Sequence, residues 1–311
     1  MKRILKVDFC DFWGDFAKED NLFLILLKPY YDVVISENPE VLFYSCFGFN
    51  HLKYHCHKIF YTGENVRPNY MECDFSLSFD HDEYKKKNLR VPFFRWQNLE
   101  SFGEKPSPEA IKATKNKFCC MVVSNSGGEE RNDFFRRLST YKKIDSGGKF
   151  LNNIGYVVEN KMRFINEYKF VISFENSCYP GYTTEKIIHP MGYNCLPVYW
   201  GNPLIFKDFN TKSFINIHDY KSHDAAIEEI IRIDNRVEVY DEYLSQPWFE
   251  KNRIPEPLQL EYLSNCLFVA IGNFKRDYPI SKKYINRLYE QLNKQKKLFL
   301  SRIYKRAPWY Y

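Results

Sequence analysis

The sequence predicts an α/β protein built from two units, each with a mostly parallel sheet and flanking helices. Short apolar runs separated by turn residues fill the first third of the chain. Residues 170–201 follow the pattern strand, loop, helix, strand, which has the size of a βαβ unit. A further set of alternating strands and helices begins near residue 118. A length of 311 residues suits one large or two moderate domains.

The first unit is predicted to cover residues 1–110. A short apolar helix is expected at 22–27. Residues 98–116 contain glycine and prolines between polar residues, which predicts a linker. The predicted strands of this unit are residues 4–9, 32–36, 41–46, 58–62 and 75–79.

The second unit is predicted to cover residues 111–280. Thr183 is the expected N-cap of the helix at 184–193. Ligands of open α/β sheets bind beyond the carboxyl ends of the strands, so the loop after residue 174 is the expected site. The predicted strands are 118–124, 170–174, 196–200 and 214–217, and the other predicted helices are 129–138, 223–232 and 237–244.

Residues 281–311 form a basic tail that contains apolar residues at roughly helical spacing. Without this tail the chain is close to neutral. The pattern predicts an amphipathic helix, which either packs on the body or contacts an anionic membrane peripherally. No secretory signal or membrane-spanning run is recognisable, and nine cysteines suit reduced thiols. We therefore expect a cytoplasmic protein, with peripheral attachment to the inner face of the cytoplasmic membrane through the tail.

Three motifs in the second unit carry a family resemblance. Residues 170–208 contain FENS, GYTTEKI and LPVYWGNP. This dense pattern resembles the donor-binding signature of the α-1,3/4-fucosyltransferases of glycosyltransferase family 10. A shorter match is FYTGEN at 60–65, and a looser one spans 119–156. The resemblance implies the GT-B fold, in which two Rossmann-like domains face a cleft.

The resemblance also implies a reaction. It is inverting transfer of L-fucose from GDP-fucose to N-acetylglucosamine of N-acetyllactosamine-type glycans, for Lewis-type lipopolysaccharide O-antigen. Such a transfer needs a base for the acceptor hydroxyl and positive charge for the departing diphosphate. Glu64 follows a predicted strand and matches the family's base. Glu185 resembles the family's carboxylate near the donor sugar. No cofactor is expected beyond the donor substrate.

Two cations are expected to neutralise GDP without a metal. Arg131 opens the predicted helix after SNSGG and suits bidentate phosphate binding, although it could instead be a surface arginine paired with Glu129 or Glu130. Lys186 is the second cation, and Asn176 is expected to hold the diphosphate or ribose. The remaining expected donor-side residues are Glu175, Tyr182, Gly155 and Tyr156, and the expected acceptor-side residues are Tyr61 and Trp13.

Alternatives remain open at this point. Asp80 and Asp82 form a D-x-D motif after a predicted strand, which would suit a metal-dependent GT-A glycosyltransferase. The basic tail would suit a nucleic-acid-binding protein, although no nucleic-acid module is recognisable. A cluster at residues 51–57 contains three histidines and a cysteine in a spacing that fits no usual zinc site, so a surface or packed cluster is the better interpretation. The choice between α-1,3 and α-1,4 linkage, like the oligomeric state, is not determined by the sequence.

Overall fold

The chain forms two compact α/β units in a computed structural model, which describes residues 2–81, 86–275, 282–284, 287–288, 291–292 and 295. Unit 1 contains residues 1–91 and the residues from 257 onward, and unit 2 contains residues 92–256. Each unit carries one parallel sheet. The prediction of two Rossmann-like α/β domains is therefore confirmed.

The strands and helices are numbered along the chain. The strands are β1 Arg3–Cys10, β2 Tyr31–Ile35, β3 Val41–Tyr44, β4 His57–Tyr61, β5 Phe75–Ser78, β6 Asn88–Arg90, β7 Lys117–Met121, β8 Ile144–Ser146, β9 Tyr168–Phe174, β10 Leu196–Trp200 and β11 Ile215–Asn216. The helices are α1 Leu22–Leu27, α2 Pro108–Lys112, α3 Glu129–Leu138, α4 Lys161–Ile165, α5 Glu185–Gly192, α6 His223–Asn235, α7 Val237–Ser245 and α8 Leu260–Gly272.

Unit 1 has the strand order β2-β1-β3-β4-β5-β6. Aromatic rings fill its core, where Phe23 stacks on Phe43 with 4.8 Å between ring centroids and meets Tyr61 edge-on at 5.2 Å. Helix α8 packs on α1, and Phe268 stacks on Tyr30 at 4.5 Å. The chain therefore returns to unit 1 after completing unit 2.

Because the chain returns to unit 1, the boundaries between the two units differ from those predicted at residues 110 and 280. Residues 92–110 group with unit 2, and residues from 257 group with unit 1. The predicted linker 98–116 contains α2, whose Ile111 is buried. Local composition missed this, because the grouping depends on contacts between residues far apart in the chain.

Most of the predicted tail lies outside the described residues, so its amphipathic helix stays a prediction. One described tail residue, Lys282, pairs with Asp74 and donates to the carbonyl of Cys73 at 3.2 Å. Within the described ranges, no helix combines the length and apolar character needed to cross a bilayer.

Unit 2 has the strand order β11-β10-β9-β7-β8, with all strands parallel. Strand β9 lies at the centre and pairs with β10 from Leu196 opposite Phe170 to Trp200 opposite Phe174. The predicted N-cap of α5 is wrong by one residue. Thr184 caps the helix, and the Thr183 hydroxyl instead accepts a hydrogen bond from Asn202 at 3.0 Å.

A buried ionic cluster joins the loops at the carboxyl edge of the unit 1 sheet. His51 Nδ1 lies 2.8 Å from an Asp11 oxygen, and its Nε2 lies 3.1 Å from Glu72. The imidazole stacks on Tyr44 at 4.0 Å. Burial disfavours its charged form, but the hydrogen bonds that His51 donates to Asp11 and Glu72, and the charges of these carboxylates, outweigh this and raise the pKa of His51. The predicted packed role of the 51–57 cluster thus holds for His51.

We expect the stability contributed by this cluster to fall as pH rises. The pKa of His51 is raised on folding, so the contribution is complete below the unfolded value of about 6.5 and is lost as pH passes the higher folded value. H51Q should cost about 3 kcal/mol of unfolding free energy near pH 6, because it leaves buried carboxylates uncompensated. Urea denaturation from pH 5 to 9 measures this difference.

The exposed His55 provides the matched control, H55Q. The difference in unfolding free energy between wild type and H51Q should shrink towards high pH, whereas the difference for H55Q should stay small at every pH. A constant difference for H51Q across the range would contradict a charged His51.

Candidate active site

A cavity of about 180 Å³ opens at the carboxyl edge of the unit 2 sheet. It lies among the loops after β7 and β9 and the first turns of α3, α4 and α5. Pockets that enclose a whole small ligand typically measure about 300–1,000 Å³, so this one suits a compact polar part of a ligand. Its lining residues are Val122, Val123, Ser124, Asn125, Arg131, Lys161, Val171, Ile172, Phe174, Asn176, Glu185 and Lys186.

Glu175 connects the end of β9 to the start of α5 at this edge. Its carboxylate is fully buried and accepts hydrogen bonds from the Thr184 N–H at 2.7 Å and the Thr184 hydroxyl at 2.8 Å. The Lys186 ammonium donates to it at 3.2 Å. Burial raises the pKa of Glu175, opposed by Lys186 and the Thr184 bonds. Both carboxylate oxygens are therefore engaged within the protein, and the residue orients Lys186.

Arg131 is also held by the protein. Its side chain is buried and donates to the carbonyl oxygens of Asn125, at 2.7 Å, and Gly127. Its Nε has no hydrogen-bond partner in the part of the chain that the structure describes. Among the described residues, Arg131 forms no ion pair with Glu129 or Glu130, and the Glu130 carboxylate instead pairs with His223 at 3.2 Å. Burial lowers the pKa of Arg131, so the guanidinium favours an anionic partner.

Asn176 and Glu185 present unused polar groups to the cavity. Among the described residues, the Asn176 amide has no hydrogen-bond partner, and the Glu185 carboxylate meets only its own backbone N–H. Burial opposes the charge of Glu185, but Lys186 and Lys161 outweigh it and lower its pKa. Glu185 therefore lies in the cavity as a carboxylate that can accept hydrogen bonds from a ligand.

Sequence reasoning missed Lys161, the first residue of α4. Its ammonium lines the cavity and lies 3.4 Å from His189 Nδ1. The sequence contains only a weak signal for it, a lysine after Asn160, which caps a short helix before β9. Burial and the nearby Lys161 charge lower the pKa of His189 to about 4.

Three other predicted donor-side residues do not line this cavity. Tyr182 is buried, and its N–H donates to the Tyr179 carbonyl at 3.1 Å. Gly155 adopts a positive φ of 84° and donates to the Asn152 side chain at 3.1 Å. Tyr156 is 61% exposed. Their predicted contacts with the nucleotide stay predictions, because the cavity includes none of them.

In unit 1, Glu64 lies exposed in the loop after β4. The Thr62 hydroxyl fixes the loop, since it accepts from the Glu64 N–H at 3.0 Å and donates to the Glu64 carbonyl at 2.7 Å. The carboxylate is thus presented to solvent at a strand's carboxyl end, where an acceptor could reach it.

The two predicted acceptor-side residues are packed differently. Tyr61 is fully buried and belongs to the aromatic core. Trp13 is half-buried and meets Phe16 edge-on with 5.5 Å between centroids, in the loop after β1. Of the two, Trp13 is the one whose ring is accessible to a sugar.

Asp80, one half of the D-x-D motif, is engaged by the protein. It forms an ion pair with Arg67, and its N–H donates to the Ser78 hydroxyl at 3.2 Å. Asp82 lies outside the described residues. Across the described ranges, no group of three or more His, Cys, Asp or Glu side chains is arranged to hold a metal ion.

Comparison with known proteins places this geometry in context. The family model "Alpha-(1,3)-fucosyltransferase FucT N-terminal domain" matches residues 7–96, and "Glycosyltransferase family 10 (fucosyltransferase) C-term" matches residues 112–291. A solved structure of an alpha1,3-fucosyltransferase with GDP-fucose is 26% identical with a TM-score of 0.75, over 90% of this chain and 94% of that one.

Two curated relatives are similar over shorter fractions of their length. The alpha-(1,3)-fucosyltransferase FucT of Helicobacter pylori is 30% identical over 269 residues, which are 73% of this chain and 56% of that protein. Alpha-(1,3)-fucosyltransferase B of Drosophila melanogaster is 32% identical over 178 residues, 52% of this chain and 38% of that protein. The chain thus spans about half the length of the curated relatives that it matches.

We expect G201A to disturb the Glu175 anchor. Gly201 has a φ of 152°, and a Cβ there would approach Glu175 Cγ to 2.5 Å and Cβ to 2.7 Å. The clash with a fully buried side chain should cost about 1–3 kcal/mol of unfolding free energy. Chemical denaturation measures this loss. G103A is the matched control, because no atom lies within 4 Å of the added Cβ. Equal stability of the two variants would show that the Glu175 anchor tolerates displacement.

Proposed function

The chain belongs to glycosyltransferase family 10, and from this we propose that it is an inverting α-1,3-fucosyltransferase with GDP-fucose as its donor. The observation that carries the proposal is the unit 2 cavity, in which three cations, a carboxylate and an unpaired amide converge at a sheet's carboxyl edge. A diphosphate needs cations of this kind, and a sugar hydroxyl needs acceptors such as the carboxylate. The structural relative with GDP-fucose supports the same donor.

The cavity residues have distinct roles in this proposal. Arg131 and Lys186 stabilise the negative charge that grows on the departing diphosphate, so no metal or other cofactor is required. Asn176 donates to the diphosphate or ribose. Glu185 accepts from a fucose hydroxyl and stabilises the cationic character of the sugar. Glu175 acts through Lys186, because its oxygens are already bonded within the protein.

Glu64 is the proposed general base. Its carboxylate takes the proton from the acceptor hydroxyl while the hydroxyl oxygen attacks the anomeric carbon of fucose. The bond to GDP breaks on the opposite face of the sugar, which inverts the configuration. The exposure of Glu64 and the fixed loop after β4 support this role.

The proposed acceptor is N-acetylglucosamine within N-acetyllactosamine-type glycans, as used in Lewis-type lipopolysaccharide O-antigen. The α-(1,3) designation of the Helicobacter pylori and Drosophila relatives supports this linkage over α-1,4. Trp13 offers an accessible ring on the acceptor side.

The alternatives are not retained. The chain belongs to a family with the two-domain GT-B fold, which is a different fold from the GT-A alternative. Asp80 is also neutralised by Arg67. The nucleic-acid alternative depends on the basic tail, most of which lies outside the described residues, while the matched domains are those of a glycosyltransferase.

A donor screen tests the function. Wild-type protein is incubated with N-acetyllactosamine and, in turn, GDP-fucose, GDP-mannose and UDP-galactose, and products are measured by mass spectrometry. We expect transfer from GDP-fucose alone.

E64Q should lower the turnover by about 10²–10⁴-fold, because it removes the base while keeping the shape of the side chain.

The exposed Glu37 supplies the control variant, E37Q, which should keep wild-type turnover. Titration calorimetry should give the same GDP affinity for E64Q and wild type. Transfer from another donor would refute the donor assignment, and full turnover by E64Q would remove Glu64 from the mechanism.

We also propose that the tail attaches the enzyme peripherally to an anionic cytoplasmic membrane, near a lipid-linked acceptor. Deletion of residues 296–311 should abolish co-sedimentation with phosphatidylglycerol vesicles, while transfer to soluble N-acetyllactosamine continues. This deletion spares Lys282, which pairs with Asp74 in unit 1. The control is co-sedimentation with neutral phosphatidylcholine vesicles, which should be weak for the full-length and the truncated protein. Undiminished sedimentation of the truncated protein with anionic vesicles would contradict the membrane role.

A further inference from the structure

The three cations of the unit 2 cavity differ in how far the protein neutralises them. Lys186 pairs with Glu175, and Arg131 donates to two backbone carbonyls. Lys161 has neither kind of partner. No carboxylate oxygen of the described residues lies within 4.0 Å of its ammonium, and its one hydrogen-bond partner is His189 Nδ1 at 3.4 Å. Two of its three N–H donors therefore have no partner in the described part of the chain.

Such a cation is costly in the unliganded protein. Burial lowers the pKa of Lys161, and the nearby Lys186 acts in the same direction while Glu185 opposes it. Lys161 is partly buried, and a charge removed from water without an ion pair or full hydrogen bonding is destabilising. An anionic ligand in the cavity would remove this cost.

We propose that Lys161 binds a phosphate oxygen of the nucleoside diphosphate directly, and that His189 is its positioning residue. This inference rests on the proposed function, because it names a further contact to the same donor. Lys161 supplies the charge that is least committed to the protein, whereas Lys186 shares its charge with Glu175. Lys161 is therefore the cation of the cavity that is most available to an anionic ligand.

The role of His189 follows from its place on α5. A neutral imidazole can accept a hydrogen bond at Nδ1, and Lys161 is the donor within reach. The low pKa of His189 agrees with a ring that stays neutral beside this ammonium. His189 therefore orients Lys161 without neutralising its charge. A carboxylate in the same place would neutralise it.

Calorimetric titration of the full-length protein with GDP, GMP and guanosine tests the proposal. K161M should weaken GDP binding about 10- to 100-fold, the effect expected for loss of one charge-assisted contact. Guanosine binding should change less than about twofold, because guanosine has no phosphate. K161R should keep most of the GDP affinity. The exposed Lys143, with 68% of its side chain accessible, provides the control K143M, which should bind GDP like wild type.

A thermal unfolding measurement without ligand separates a binding role from a structural one. K161M should unfold at the same or a higher temperature than wild type, since it removes a partly buried charge that has no ion pair among the described residues. A lower unfolding temperature together with equal losses for GDP and guanosine would identify Lys161 as structural and overturn the proposal. GDP affinity of K161M equal to that of wild type would overturn it while leaving the proposed function standing. Absence of GDP binding by wild type would overturn both.

His189 is tested by two variants. H189L should weaken GDP binding several-fold and leave guanosine binding unchanged, whereas H189N should restore GDP affinity because the amide oxygen can replace Nδ1 as acceptor. If both variants bind GDP like wild type, His189 does not position Lys161.

Discussion

The buried bond network of Glu175 is the interaction on which the candidate site depends. A carboxylate with no solvent exposure at the end of β9 is tolerated because Thr184 and Lys186 satisfy it with three hydrogen bonds. These bonds join the central strand of unit 2 to the start of α5 and fix Lys186. Gly201, directly after the neighbouring strand β10, leaves the space that Glu175 occupies. The network therefore holds the Lys186 ammonium at a fixed place on the carboxyl edge of the sheet.

Each unit supplies a different chemical requirement of the proposed transfer. The parallel sheet of unit 1 ends β4 at a loop that holds Glu64 in solvent, where a base can meet an acceptor hydroxyl. The parallel sheet of unit 2 ends β7 and β9 at a cavity that gathers positive charge. Both placements follow from the same rule, because parallel strands end together and leave their loops on one edge. The ionic cluster of His51 gives the unit 1 edge its own internal support.

Local signals in the sequence predicted those elements that local physics determines. The bounds of α3 were predicted to the residue, since Gly128 adopts a positive φ and two glutamates follow it in the first turn. The apolar run of β10 was equally clear. Strands β6 and β8 were missed because each has three residues and carries polar side chains, which give no apolar run. The return of α8 to unit 1 depends on packing with α1, which no local pattern reveals.

The candidate site shows the same limit, and the reason is electrostatic. Sequence motifs indicate which residues line the cavity, namely Arg131, Asn176, Glu185 and Lys186. Whether each charge is neutralised within the protein depends on neighbours that folding brings together. Glu175 and Lys186 partly cancel each other, whereas Lys161 keeps its charge beside a neutral histidine. In the unliganded cavity the charge of Lys161 has no ion pair among the described residues, which has a cost in stability. A diphosphate would remove that cost, so its binding must stabilise unit 2. In the proposed transfer, the charges that would bind the diphosphate would also stabilise it as it departs from the sugar, and this would join donor affinity to the rate of transfer.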